Sequence, residues 1–175
     1  MLSAMPAALF MEHKMLDVLI LNLGDKYKGN CTIDGYADMI IVSSFSHSAY
    51  LPMGSDAGNT ERTLGRPVLS EMSFSKSSDL STTELFKACT QGAKIGPATL
   101  NIGRVENGKY MNFMTYKMEN AMISQMSCGG GGGIPSDSFS INFTKISAEF
   151  AQQNADSTKK GTGTWNWNLG TMKAD

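Results

Sequence analysis

Cysteine is scarce in this chain. Cys31, Cys89 and Cys128 are odd in number, far apart and never in a C-x-x-C pair, which argues against both a disulfide framework and a zinc knuckle. They read as reduced thiols of a protein made in a cytoplasm. Histidine is scarcer still: His13 and His47 are the only two in 175 residues. They are too few and too distant to join those thiols in a metal site, so no metal is expected. Charge is sparse and balanced, with 15 Lys+Arg against 16 Asp+Glu and a net charge of −1. Without a basic stripe there is no electrostatic footprint for nucleic acid or for an anionic membrane surface. No apolar run reaches the ~18 residues of a spanning helix, so no direct membrane insertion is expected. The apolar stretch 4–11 lacks a basic n-region and a clean small-residue cleavage site, so no signal peptide is expected and any export must use another route.

What is present is enough for one domain: 175 residues, 41% apolar, with 18 Gly and 13 Met. Residues 1–14 read as a loose N-terminal extension and 15–175 as the folded domain. Residues 16–23 (LDVLILNL) predict a strand buried over most of its length, and 25–36 a polar, glycine-punctuated loop. Residues 39–48 (MIIVSSFSHS) begin as an apolar β run and turn at Ser43 into small polar residues around Phe45, as a strand does on leaving a core to face water or a partner. Residues 49–67 hold two Pro and no usable period, a loop longer than the usual limit of about 12–15 residues. Residues 71–76 alternate, with Met72 and Phe74 on one face.

One helix is predicted, with Ser81, Thr82, Thr83 and Glu84 as a capping box, Leu85, Phe86 and Cys89 as the apolar stripe and Gly92 as the stop. Strands follow at 98–105, 110–118 and 121–127 as a meander, the first two joined by Asn107-Gly108, a strong hairpin signal. In 138–150 the apolar residues switch parity between Phe143 and Ile146, which calls for a bulge or corner near Thr144 and Lys145. Residues 152–163 are polar, and Trp165, Trp167 and Leu169 then alternate as a last strand. The pattern predicts a mainly β protein, a single closed β-barrel with one short α-helix.

Chemistry is harder to find. Gly129 to Gly133 has no following G-K-[ST] and leads through Ile134-Pro135 into a strand, so it reads as a hairpin loop rather than a phosphate cradle. His47 is the one histidine inside the predicted fold and has no nucleophile elbow near it, so a hydrolase built on it ranks last. The acids are scattered, and no cofactor and no catalytic residue are expected. Binding or assembly is the default function, with a monomeric barrel holding a small ligand as the alternative.

Three stretches resemble the Hcp (haemolysin-coregulated protein) family of the bacterial type VI secretion system. Phe74-Ser75-Lys76, Asp79, Ser81-Thr82, Leu85, Cys89 and Gly92 match the family's strand-to-helix block. Gly129 to Gly133, Pro135 and Phe139-Ser140-Ile141-Asn142-Phe143 are similar to its glycine-rich hairpin and the strand after it. Ser44-Phe45-Ser46-His47 is similar to its S-[FW]-S-[HW] strand. The resemblance, with a last strand carrying Trp167-Asn168-Leu169, covers essentially 15–175. It implies a homohexameric ring, rings stacked into a hollow tube inside a contractile sheath, a spike protein at the tip, and expulsion with effector proteins. Such a protein is cytoplasmic in the producing bacterium and is then secreted by the apparatus. The resemblance further implies that Ser44, Phe45, Ser46 and His47 line the lumen and touch effectors, and that the 49–66 loop reaches the next ring through Asn59, Thr60, Glu61 and Arg62. Where many members have G-E-S after the first strand this chain has Gly29-Asn30-Cys31, and no fused C-terminal effector domain is expected.

Overall fold

The computed structural model describes residues 17–54, 63–106, 108–153 and 159–174. Strand β1 (Asp17–Asn22) is followed by β2 (Ile40–Val42) and β3 (Ser44–Ser46). The chain then runs out along β4 (Ala49–Tyr50) and β5 (Met53–Gly54) and returns along β6 (Thr63–Leu64) and β7 (Val68–Leu69). Next come β8 (Met72–Ser77), helix α1 (Ser81–Gln91), β9 (Lys94–Glu106), β10 (Lys109–Gly129), β11 (Ser136–Asn142), β12 (Lys145–Gln153) and β13 (Lys159–Asn168). One antiparallel sheet orders as β2-β1-β9-β10-β11-β8-β3, with β12 on β10 and β13 on β12.

The closed barrel is not found. The ladder is an open path ending at β2 and β3, which are successive pieces of one segment split at Ser43. There the chain leaves β1 and crosses to β8, with the Ser43 N–H donating to the Ser75 carbonyl at 2.7 Å. The kink redirects the hydrogen-bonding groups of the seven-residue segment 40–46, so chain continuity, not a ladder, joins the two ends of the sheet. Ser43 is also where the sequence loses its apolar character.

The meander also differs from the expectation. Residues 110–118 and 121–127 belong to the single 21-residue β10, which bends at Asn120, a non-glycine residue at φ 52°. Its first half lies between β9 and β12 and its second half pairs with β11. The bend doubles the sheet into two layers. Core side chains Leu21, Leu100 and Met118 come from one layer and Phe74, Phe139 and Ile141 from the other, with Leu85 and Ala88 of α1 added. The Phe74 and Phe139 rings stack at 5.2 Å.

Local signals fare better. Glu106 pairs with Lys109 across the two-residue hairpin, with Gly108 at φ 75°; Asn107 lies outside the described residues. The glycine run closes the β10–β11 hairpin beyond the Gly129–Ser136 pair. The parity switch is a corner, since β11 ends at Asn142 and β12 starts at Lys145. The long loop contains two short ladders, Ala49–Leu69 with Tyr50–Val68 and Met53–Leu64 with Gly54–Thr63, so it is a two-stranded arm. The strands β12 and β13 also run into the polar stretch after Gln152.

The helix begins differently from its predicted capping box. Asp79, not Ser81, supplies the cap: its Oδ1 accepts from the Ser81 N–H at 2.9 Å, and its own N–H donates to Thr82 Oγ1 at 3.1 Å. Gly92 stops the helix as expected, at φ 60°. The N–H groups of Gly92 and Ala93 return to the Cys89 and Ala88 carbonyls, the Schellman pattern.

Candidate functional site

Strand alternation sorts β8 and β11 into two unlike faces. Met72, Phe74 and Lys76 point inward from β8, and Asp137, Phe139 and Ile141 from β11. Ser73, Ser75, Ser136, Ser138 and Ser140 take the opposite face. The register aligns them with their neighbours. One row reads Ser44, Ser75, Ser138, Ser127 across β3, β8, β11 and β10, and the next reads Ser46, Ser73, Ser140, Gln125. Neighbouring members sit ~4.8 Å apart across strands and ~6.8 Å apart along them. Within the grid Ser73 and Ser140 share a hydroxyl hydrogen bond of 2.9 Å.

Serine is not among the residues that strands favour, so propensity does not account for seven serines in eight positions. Neither row holds a charged residue. Glu71 stands at the margin, where its Oε2 accepts from Ser124 Oγ at 2.6 Å and its Oε1 from Asn142 Nδ2 at 3.0 Å. The face is therefore small, polar and uncharged, and it can exchange weak hydrogen bonds with water or with a passing polypeptide.

Directly beneath lies a buried ionic cluster. Lys76 Nζ sits 2.7 Å from Asp79 Oδ1, 2.8 Å from Asp137 Oδ2 and 3.1 Å from Thr82 Oγ1. Ser78 Oγ donates to Asp137 Oδ1 at 2.7 Å. Lys76 and Asp137 are each 1% exposed. Burial pushes the Asp137 carboxyl upward, but hydrogen bonds from Lys76, Thr82, Ser78 and Cys128 outweigh it and hold the group below its usual value. The cluster ties β8, the start of α1 and β11 together behind the serines.

Of the four residues assigned to a lumen, Ser44 and Ser46 lie on the hydroxyl face. Phe45 and His47 alternate inward: the Phe45 ring meets Tyr116 at 5.7 Å, and His47 packs on Phe143 at 5.8 Å and Trp165 at 6.4 Å. No hydrogen bond joins His47 to a serine hydroxyl, so the face gains no activated nucleophile from it. Among the described residues no group of three His, Cys, Asp or Glu side chains could hold a metal ion. Asn59, Thr60, Glu61 and Arg62 lie outside the described residues. Sequence reasoning missed Ser73, Ser75, Ser138, Ser140, Gln125 and Ser127, although Ser at every second position of 73–77 and 136–140 carries the signal.

Comparison with known proteins agrees with this architecture. The family model described as "Type VI secretion system effector, Hcp" matches residues 10–150. Protein hcp1 of Pseudomonas aeruginosa is 28% identical over 102 residues, a match spanning 57% of this chain and 63% of that protein. Among solved structures, one described as a type six secretion system protein superposes with a TM-score of 0.83 at 23% identity, covering 91% of this chain and 100% of the other. Hcp1 from Salmonella typhimurium gives 0.71 at 18% identity, over 92% of this chain and 100% of its own. At those identities the structures speak to the fold alone. With the family model covering most of its length, the chain belongs to the Hcp family of the type VI secretion system.

Proposed function

We propose that this protein is a ring subunit of the secretion tube, that six copies close a ring, and that the hydroxyl face lines its bore. The observation that carries the reading is the charge-free serine grid on β3, β8, β11 and the second half of β10. A wall that cargo must traverse has to be polar enough to stay wet and too weakly adhesive to trap what passes, and serine meets both demands.

The edges of this four-stranded sheet support assembly. Among the described residues β3 pairs only with β8, and beyond Met122 β10 pairs only with β11. Unpaired edges of this kind invite another strand. Joining the β3 edge of one copy to the β10 edge of the next is a heterologous contact, which closes into a ring when the rotation allows. The arm formed by β4 to β7 projects from the same chain segment and serves stacking of ring on ring, with Asn59, Thr60, Glu61 and Arg62 as its candidate contacts. Effector proteins occupy the bore, the spike protein and contractile sheath are the further partners, and export follows from expulsion of the tube. A net charge of −1 limits repulsion among many stacked copies.

Light scattering of the purified protein, with negative-stain images of the same fraction, tests the reading. Six-subunit rings with an open centre are expected. A compact monomer at micromolar and higher concentration overturns it.

A further inference from the structure

One half-buried titratable group has no part in the tube reading. His47 follows β3 directly and precedes the root of the arm, where the Ser48 N–H donates to Ser70 Oγ at 2.8 Å and the Ser70 N–H to the Ser48 carbonyl at 2.8 Å. Its ring spans the two layers, against Phe143 of the β11–β12 corner and Trp165 of β13. Both ring nitrogens are buried and neither meets a hydrogen-bond partner of good geometry. Two orphaned polar atoms are costly, and a phenylalanine would fill the same space without them. What histidine adds is a charge that changes between about pH 5 and 8.

We propose that His47 is an acid-sensitive latch, whose protonation releases its ring from Phe143 and Trp165 and loosens the root of the arm. A cation finds only the backbone of Ser70 and Glu71 as partners at this position, and the loss of water outweighs them. The β11–β12 corner and β13 touch the ring through uncharged side chains. Glu71 is the charged residue that lines a surface hollow together with His47, Ser46 and Ser70, and both its oxygens are engaged by Ser124 and Asn142. Trp165, at 6.4 Å, lies beyond the ~6 Å range in which an aromatic face holds a cation well, and Phe143, at 5.8 Å, lies at its limit.

Burial keeps the imidazole below its ordinary value, with the backbone of Ser70 and Glu71 pulling it part of the way back. The sign follows: the folded form favours the neutral ring, so stability is full above the unfolded value of about 6.5 and falls as pH drops through it. Where rings stack through the arm, which rests on the tube reading above, acid therefore weakens stacking before it unfolds the subunit.

Amide exchange of residues 46–50 and 68–70 in the full chain at pH 7.5 and 5.0, corrected for intrinsic rates, tests the latch. Protection is expected to drop at least tenfold at pH 5.0 and to recover on return. His13→Gln, which removes the other histidine, should keep the response, while His47→Phe and His47→Gln should abolish it; the glutamine variant serves if the phenylalanine one fails to fold. Equal protection at the two pH values in the unmodified chain, or a drop that persists in the His47 variants, overturns the proposal. Sedimentation at pH 7.5 separates the two readings, because absence of rings there overturns the tube and leaves the exchange test intact.

Discussion

Lys76 shows how one residue supports a face it does not belong to. Its stem occupies an inward position of β8 between two outward serines, and its ammonium group reaches Asp79 and Asp137 without leaving the interior. Removing one partner of a buried pair strands the other, at about 3–5 kcal/mol, whereas replacing both by apolar groups of similar volume is often neutral or stabilising. Lys76→Met, which strands both carboxylates, should destabilise by about that amount in urea unfolding, Asp137→Asn by less because Asp79 still pairs with Lys76, and the double variant Lys76→Met with Asp137→Leu by clearly less than the sum. Because the Asp137 carboxyl is held below its usual value, its contribution is present above the unfolded value of about 3.9 and fades as pH falls further. Asp137→Asn should flatten that part of the acid-stability curve. The sequence displays the Lys76, Asp79, Ser81, Thr82 spacing but not its roles. The local spacing predicts a capping box, whereas Lys76 and Asp137 meet only through the pairing of β8 with β11.

At the level of elements, the readable pieces are those whose cause is local. The stop at Gly92 needs a left-handed residue, and glycine adopts it without a Cβ penalty. At φ 60°, with open space around the position, Gly92→Ala is strained by conformation alone and not by contact. It should lower stability by about 1 kcal/mol, read as a shifted urea midpoint with an unchanged slope. The β9–β10 turn and the corner before β12 were legible for the same reason, one from Asn-Gly and the other from a change of parity. The length of β10 was not. A polar break at Glu119-Asn120 resembles a turn, and only pairing with β9 on both sides of it keeps the chain extended through a bend. The serine face was half legible: alternation marks each strand separately, but registers linking β3, β8, β11 and β10 are tertiary facts. The arm was legible as an exceptional length rather than as two ladders, because two-residue strands carry no periodicity.

For the molecule as a whole, the roles proposed for the hydroxyl face and for the arm can be separated by one deletion. The arm returns to the body before its own tip matters, since the Gly65 N–H donates to the Pro52 carbonyl at 2.8 Å and β4 pairs with β7 below it. Excising 54–64 therefore leaves Pro52, Met53 and Gly65 able to close a tight turn, and β3 keeps its ladder with β8. Ring closure, assigned by the proposal to the β3 and β10 edges, should survive, while growth of rings into tubes should be lost or need much higher concentration. Electron microscopy of matched preparations distinguishes the cases. Rings without tubes assign stacking to the arm. Long tubes from the shortened chain would remove the arm from that role, and loss of rings would mean that the arm, rather than the sheet edges, carries the contact between neighbours.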